Sequence, residues 1–109
     1  VTLSDQQYPP AMFIVGLWKL TGEQLPKDTA AGLELLHRSA DQKYPAALYQ
    51  LASRYIDGRD VAQDPAKGFA LMRDAARLGI GSAQFFLAAR YQNGDGVPRD
   101  LEQARYFYQ

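Results

Sequence analysis

The chain has 109 residues, and 12 Lys plus Arg balance 12 Asp plus Glu, so the formal net charge is zero. This balance argues against nucleic-acid and membrane-surface binders, which are usually basic. The chain has no cysteine, which excludes disulfides and thiolate metal sites, and no apolar run approaches the roughly 20 residues that a membrane span needs.

The sequence repeats with a period of 36 residues. Glycine, aspartate and alanine each recur at this spacing, in the columns Gly22, Gly58 and Gly94; Asp28, Asp64 and Asp100; and Ala11, Ala47 and Ala83. A fixed period of roughly 20–50 residues indicates stacked structural units rather than one globular core. Such arrays usually act as binding surfaces, so the repeat favours recognition over chemistry.

The chain begins with a short segment and a first unit. The stretch 4–11 aligns with 40–47 at the same offset, so we expect residues 1–7 to be the tail of a preceding repeat's second helix. Repeat 1 is predicted over 8–43, with helices over 11–19 and 31–40. In this repeat Lys43 replaces the glycine that closes the second helix elsewhere, and this unit is the loosest match to the pattern.

Repeat 2, over 44–79, shows the unit most clearly. Its first helix carries an apolar stripe at helical spacing, formed by Ala47, Leu48, Leu51, Ala52, Tyr55 and Ile56. Gly58 can take the left-handed conformation that ends a helix. Asp64 and Pro65 then start the second helix, because Asp is a strong N-cap and Pro suits the first helical position. Gly79 closes the repeat.

Repeat 3 is predicted over 80–109 and is incomplete, because its second helix begins at Asp100 and stops at Gln109. We therefore expect both ends to cut through a longer array. Mid-helix glycines at 16, 32 and 68 cost roughly 1 kcal/mol each against alanine, so we expect helix packing to require them. The predicted fold is all-α, a right-handed α-solenoid of antiparallel helix pairs with about three repeats.

One run of residues carries a family resemblance, namely Ala83-x-x-x-Leu87-Ala88-x-x-Tyr91-x-x-Gly94-x-Gly96-Val97-x-x-Asp100-x-x-x-Ala104. It resembles the Sel1-like repeat, a relative of the tetratricopeptide repeat, and the resemblance covers essentially the whole chain. The resemblance implies an adaptor that holds other proteins together. It also suggests a bacterial periplasmic or cell-envelope setting, since such proteins often serve cell-envelope, secretion or host-interaction systems.

In such solenoids the first helices line the concave face, and residues off the apolar stripe should point into it. The predicted partner-binding residues on that face are Ile14, Leu17, Trp18, Gln50, Arg54, Asp57, Phe86, Arg90 and Asn93. The column Trp18, Arg54, Arg90 is the strongest candidate, because Trp and Arg are favoured at binding hot spots. The alternative is that both arginines are solvated or paired with Asp57 and nearby acids.

Other apolar residues on these helices leave two interpretations open. Ile14, Leu17 and Phe86 form either a partner patch or a contact with a neighbouring helix. The aromatic column of residues 13, 49 and 85 is interpreted as packing. Residues 106–108, all aromatic, are expected to pack as core against a following repeat, and without one they would form an exposed apolar end.

The sequence offers little catalytic or metal chemistry. His37 is the only histidine and lacks a constellation, so a packing or surface role is expected. The serines lack a lysine three residues on, and residues 93–102 imitate a calcium loop only in part. We therefore predict a non-catalytic scaffold with no cofactor and no metal, which binds a protein or peptide. The alternatives are a glycan or peptidoglycan module that uses Trp18, Tyr49 and Phe86, or a regulatory segment of an enzyme.

Overall fold

The computed structural model describes residues 8–108, which form six α-helices and no β-strand. The predicted tail at 1–7 lies outside the described residues. The helices are α1 (Pro9–Thr21), α2 (Thr29–Asp41), α3 (Pro45–Asp57), α4 (Pro65–Arg77), α5 (Gly81–Asn93) and α6 (Leu101–Tyr108). Each predicted repeat therefore contains one helix pair, and the predicted all-α repeat fold is confirmed.

The helices stack into an elongated array. Within residues 8–108, extensive contacts join only helices that are consecutive in the chain. The described residues measure 46 × 24 × 20 Å, with a radius of gyration of 14.8 Å, whereas a compact domain of this length would have about 13 Å. One continuous apolar core runs along the array from Leu20 to Phe107, because each pair buries its stripe against the next.

The helix ends follow the local signals in the sequence. Gly22, Gly58 and Gly94 all adopt positive φ, between 68° and 77°, at the end of a first helix. The side chain of Asp64 accepts a hydrogen bond from the Lys67 amide at 3.2 Å, as a helix N-cap does. Lys43, which replaces a closing glycine, still adopts the left-handed conformation at φ 62°. Tertiary packing therefore imposes the same turn on a residue that disfavours it.

The two helices of the first and second pairs approach closely where a glycine of one helix faces a small residue of the other. A Cβ atom built on Gly32 would lie 2.8 Å from the Gly16 carbonyl oxygen, and one on Gly68 would lie 3.0 Å from the Ala52 carbonyl oxygen. These distances are shorter than ordinary van der Waals contact. The expectation that packing requires these glycines is confirmed, and their cost in helix propensity has a structural reason.

Candidate functional site

The predicted binding residues occupy α1, α3 and α5, but they differ widely in exposure. Ile14 is 42% exposed and Trp18 is 38% exposed. Asp57 and Asn93 are exposed near the ends of their helices, and Leu17, Gln50, Phe86 and Arg90 are half-buried. Arg54 is buried. Membership of one sequence column therefore does not give equal access to a partner.

Arg54 does not have the exposure expected of a hot-spot residue, because only 8% of it is exposed. Its Nη1 donates to Asp60 Oδ2 at 2.7 Å, and within the described residues its buried Nε has no hydrogen-bond partner. Burial, followed by the charge of Arg59, lowers the pKa of Arg54, while Asp60 opposes the shift. The expectation that Arg54 is accessible to a partner is therefore corrected. Asp60, in the turn after α3, pairs with its guanidinium, so the arginine makes an internal contact.

Arg90 occupies the same column one repeat later and remains accessible. Its Nη1 donates to Asp95 Oδ2 at 2.8 Å, yet the side chain is still 33% exposed. Its guanidinium carbon lies 4.5 Å from the centre of the Phe86 ring, in cation–π geometry. The arginine is therefore held in place by a ring and an acid while one side of it faces solvent.

The difference in exposure between Arg54 and Arg90 follows from one position in the loop after each helix. Asp60 stands in the second repeat where the third repeat has Gly96, and both adopt positive φ. Gly96 has no carboxylate, so Arg90 pairs instead with Asp95, which is exposed. A Cβ at Gly96 would also lie 3.1 Å from the ring of Phe69, and that ring lies 5.9 Å from the Phe86 ring. The glycine thus makes room for the aromatic packing beneath Arg90.

A groove between α3 and α5 brings Arg90 together with apolar side chains. It has a volume of about 570 Å³ and is lined by Tyr49, Ser82, Phe85, Phe86, Ala89 and Arg90. Arg90 is the only charged residue in this lining. Phe86 and Arg90 are thus two of the predicted residues that the structure gathers at one site, whereas Ile14, Leu17 and Trp18 lie on α1, outside the groove.

The comparisons with known proteins agree with the helix pairs. The Sel1 repeat model matches residues 9–44, 45–80 and 81–109, one segment for each pair. The chain belongs to the Sel1 repeat family. Sel1 repeat proteins generally mediate protein–protein interactions, and their fold is generally a non-catalytic scaffold. No curated protein matches the sequence.

Two solved structures show similar Sel1 arrays. The protein c5321 of uropathogenic Escherichia coli, described as a protective antigen displaying an SLR fold, is 34% identical with a TM-score of 0.84. The match covers 96% of this chain but only 22% of the antigen. A Sel1 repeat protein from Oxalobacter formigenes is 28% identical with a TM-score of 0.88, and the match covers 96% of this chain and 79% of that one.

Phe85 is the groove residue that sequence reasoning missed. Its column predicts packing, and Phe13 does pack, with its ring 5.5 Å from that of Tyr44 in the following Sel1 repeat. Phe85 is instead 66% exposed. Residue 49 of the same column lines the groove as well, so the column does not by itself distinguish packing from an open position.

The last aromatic residues divide in the same way. Phe107 is buried and its ring stacks on that of Tyr91 at 6.0 Å, as expected of core. Tyr106 and Tyr108 are exposed, so for these two the structure shows the exposed apolar end and not the core. Tyr108 donates to Gln92 Oε1 at 2.8 Å and its ring lies 6.0 Å from that of Phe85. Tyr108 therefore flanks the exposed side of Phe85.

A second, larger cleft lies between α4 and α6. It has a volume of about 710 Å³ and its charged lining residues are Arg73, Arg77, Asp100 and Glu102. Arg73 donates to the Tyr91 hydroxyl at 2.6 Å, a bond between consecutive repeats. Because arginines and carboxylates line the same cleft, it does not favour a ligand of one charge. The Arg73–Tyr91 hydrogen bond holds consecutive repeats together.

His37 occupies the position equivalent to Arg73. Its Nε2 lies 3.2 Å from the Tyr55 hydroxyl, so it also joins two repeats. Burial, and next the charge of Lys67, lower its pKa, while Asp41 raises it. Within the described residues no three His, Cys, Asp or Glu side chains group as a metal site would need. The structural role expected for His37 matches these contacts.

None of the helices within residues 8–108 is long and apolar enough to cross a bilayer. The longest have 13 residues, about 20 Å at 1.5 Å per residue.

Proposed function

We propose that this Sel1 array is a non-catalytic scaffold that binds a partner protein by taking a short peptide segment into the groove between α3 and α5. The single observation that carries the proposal is the groove itself, which combines a largely exposed phenylalanine with one accessible arginine. Phenylalanine, tyrosine and arginine are all enriched in protein–protein interfaces relative to the rest of the surface.

The exposure of Phe85 supports this function physically. A ring that stays 66% in water leaves apolar surface that burial by a partner would stabilise. Tyr49 and Phe86 also line the groove, and both pack against the continuous core. A peptide side chain that enters the groove would therefore meet rigid walls, so little ordering entropy is lost on the protein side.

A selection of random 12-residue peptides against the chain tests the proposal. The enriched peptides are then measured by fluorescence anisotropy against Phe85→Ala and the matched control Leu101→Ala, which truncates an exposed apolar residue at the start of α6. We expect Phe85→Ala to weaken binding by about thirtyfold, a hot-spot effect, while the control binds like the parent chain. Equal binding by all three chains, or no enriched peptide, would refute the function.

Self-association is the control for this experiment. Light scattering across a range of concentrations shows whether a second copy of the chain covers the groove. A dimer that dissociates on Phe85→Ala would also refute peptide binding at this site, because the groove would then be the interface between two copies of the chain.

A glycan-binding module is the competing function, and one observation favours it: Tyr49 and Phe86 line the same groove. Trp18, the third aromatic residue assigned to glycan binding, does not line it. Calorimetric titration with peptidoglycan fragments separates the two functions. Heat that disappears in Phe85→Ala would support the glycan module.

A further inference from the structure

We infer that the peptide taken by the groove carries a carboxylate next to its apolar anchor, and that Arg90 binds this carboxylate. This inference rests on the proposed function and specifies the partner's chemistry. It follows from three features of the site: the lining has one charge, that charge is accessible and held in place, and the two arginines near the turn after α3 are already paired.

The first feature is charge complementarity. Five of the six lining residues are uncharged, and Arg90 supplies the only formal charge. A guanidinium has five N–H donors in a fixed fork. Within residues 8–108 the only ion-pair partner of Arg90 is Asp95, which bonds to Nη1. The other edge of the fork can therefore take a second carboxylate in a bidentate arrangement, which is the preferred geometry of this pair.

The second feature is that Arg90 is fixed before a ligand arrives. The Phe86 ring lies 4.5 Å below its guanidinium carbon, and Phe69 supports that ring from α4. An arginine held between a ring and an acid has little side-chain entropy left to lose on binding. The groove beside it would receive the apolar anchor.

The third feature is that the two arginines near the turn after α3 are already paired. Arg54 is covered by Asp60, and Arg59 pairs with Asp57 at 3.6 Å and donates to the Ser53 hydroxyl at 3.1 Å. Of the arginines that end first helices, only Arg90 both lines a groove and keeps a solvent-facing edge. A single arginine in the lining fits one carboxylate.

The distances set the spacing in the ligand. The anchor would contact Phe85, and the carboxylate would bind Arg90, which lies five residues later on the same helix and therefore about 7.5 Å further along its axis, at 1.5 Å per residue. An extended peptide advances about 3.5 Å per residue. The acidic residue should therefore lie within about two positions of the apolar residue, or the chain's own terminal carboxylate should do so.

The peptides selected above provide the test. We expect an Asp, a Glu or a free carboxyl terminus within two positions of an aromatic or aliphatic residue. Replacing that carboxylate by its amide, or introducing Arg90→Gln, should each weaken binding by about ten- to hundredfold, the effect of one charged hydrogen bond. The two changes together should cost little more than either alone, because they remove the same contact. Arg38→Gln, an exposed arginine on α2, is the matched control.

Asp95→Asn keeps the inference falsifiable if Arg90→Gln disturbs folding. This substitution removes the exposed acid that competes for Arg90 and should strengthen the acidic peptide about threefold, without changing its amide form. If peptide binding depends on Phe85 but is unchanged by Arg90→Gln and by replacing the peptide carboxylate with its amide, the inferred carboxylate contact is wrong. The proposed function would still stand. Absence of any Phe85-dependent peptide would overturn both.

Discussion

The close approach of α3 and α4 at Gly68 gives the sharpest test of the packing. A Cβ atom at this position would lie 2.5 Å from Ile56 Cγ1, 3.0 Å from the Ala52 carbonyl oxygen and 3.1 Å from the Ile56 amide nitrogen. Two of these three atoms belong to the backbone, so a side-chain rotation cannot relieve the contacts. The substitution Gly68→Ala must move one helix away from the other.

Two opposing effects set the size of the change. Alanine is favoured over glycine in a helix interior by about 1 kcal/mol, whereas overpacking a tight contact costs about 1–3 kcal/mol. With contacts to backbone atoms at 3.0–3.1 Å, we expect the upper part of that cost. The free energy of unfolding should therefore fall by about 1–2 kcal/mol, and the melting temperature by about 5–15 °C for a chain of this size.

Gly81→Ala is the matched control, because it makes the same chemical change in a helix where nothing lies within 4 Å of the new Cβ. It should raise the free energy of unfolding by about 0.5–1 kcal/mol. Both variants are measured by thermal unfolding followed with circular dichroism at 222 nm. If Gly68→Ala raised the melting temperature as Gly81→Ala does, the argument from close helix approach would be wrong.

Two further predictions concern buried polar groups. Arg54→Met removes the 2.7 Å partner of Asp60 and should lower the free energy of unfolding in urea by about 1–3 kcal/mol. Adding Asp60→Gly should recover part of the loss, because glycine tolerates the positive φ there; a further loss would show that the ion pair is not the cause. His37 has a pKa lowered from 6.5 by burial and then Lys67, so the native state binds fewer protons than the unfolded chain just below that pH. Stability should then fall as the pH drops from 7.5 to 5.5, and a His37→Gln chain that loses as much would contradict this origin.

The sequence by itself determined the repeat, the helix pairs and their ends. These features depend on local interactions at fixed offsets. The carboxylate of Asp64 caps α4 by accepting a hydrogen bond from the amide three residues later, and Gly58 adopts the left-handed turn that ends α3. The apolar stripes likewise followed from the helical period alone. Both kinds of signal act within one repeat, so a single repeat shows them.

Only the tertiary structure decided which members of a column reach solvent. Arg54 and Arg90 are equivalent in sequence, yet one is buried and the other lines a groove. Their exposure depends on where the following loop places its acid and on Phe69 of another helix packing against Gly96. The aromatic column differs in the same way, because Phe13 contacts Tyr44 of the next repeat whereas Phe85 is 66% exposed. The exposure of a side chain depends on neighbouring loops and helices, so the 36-residue period alone does not predict it.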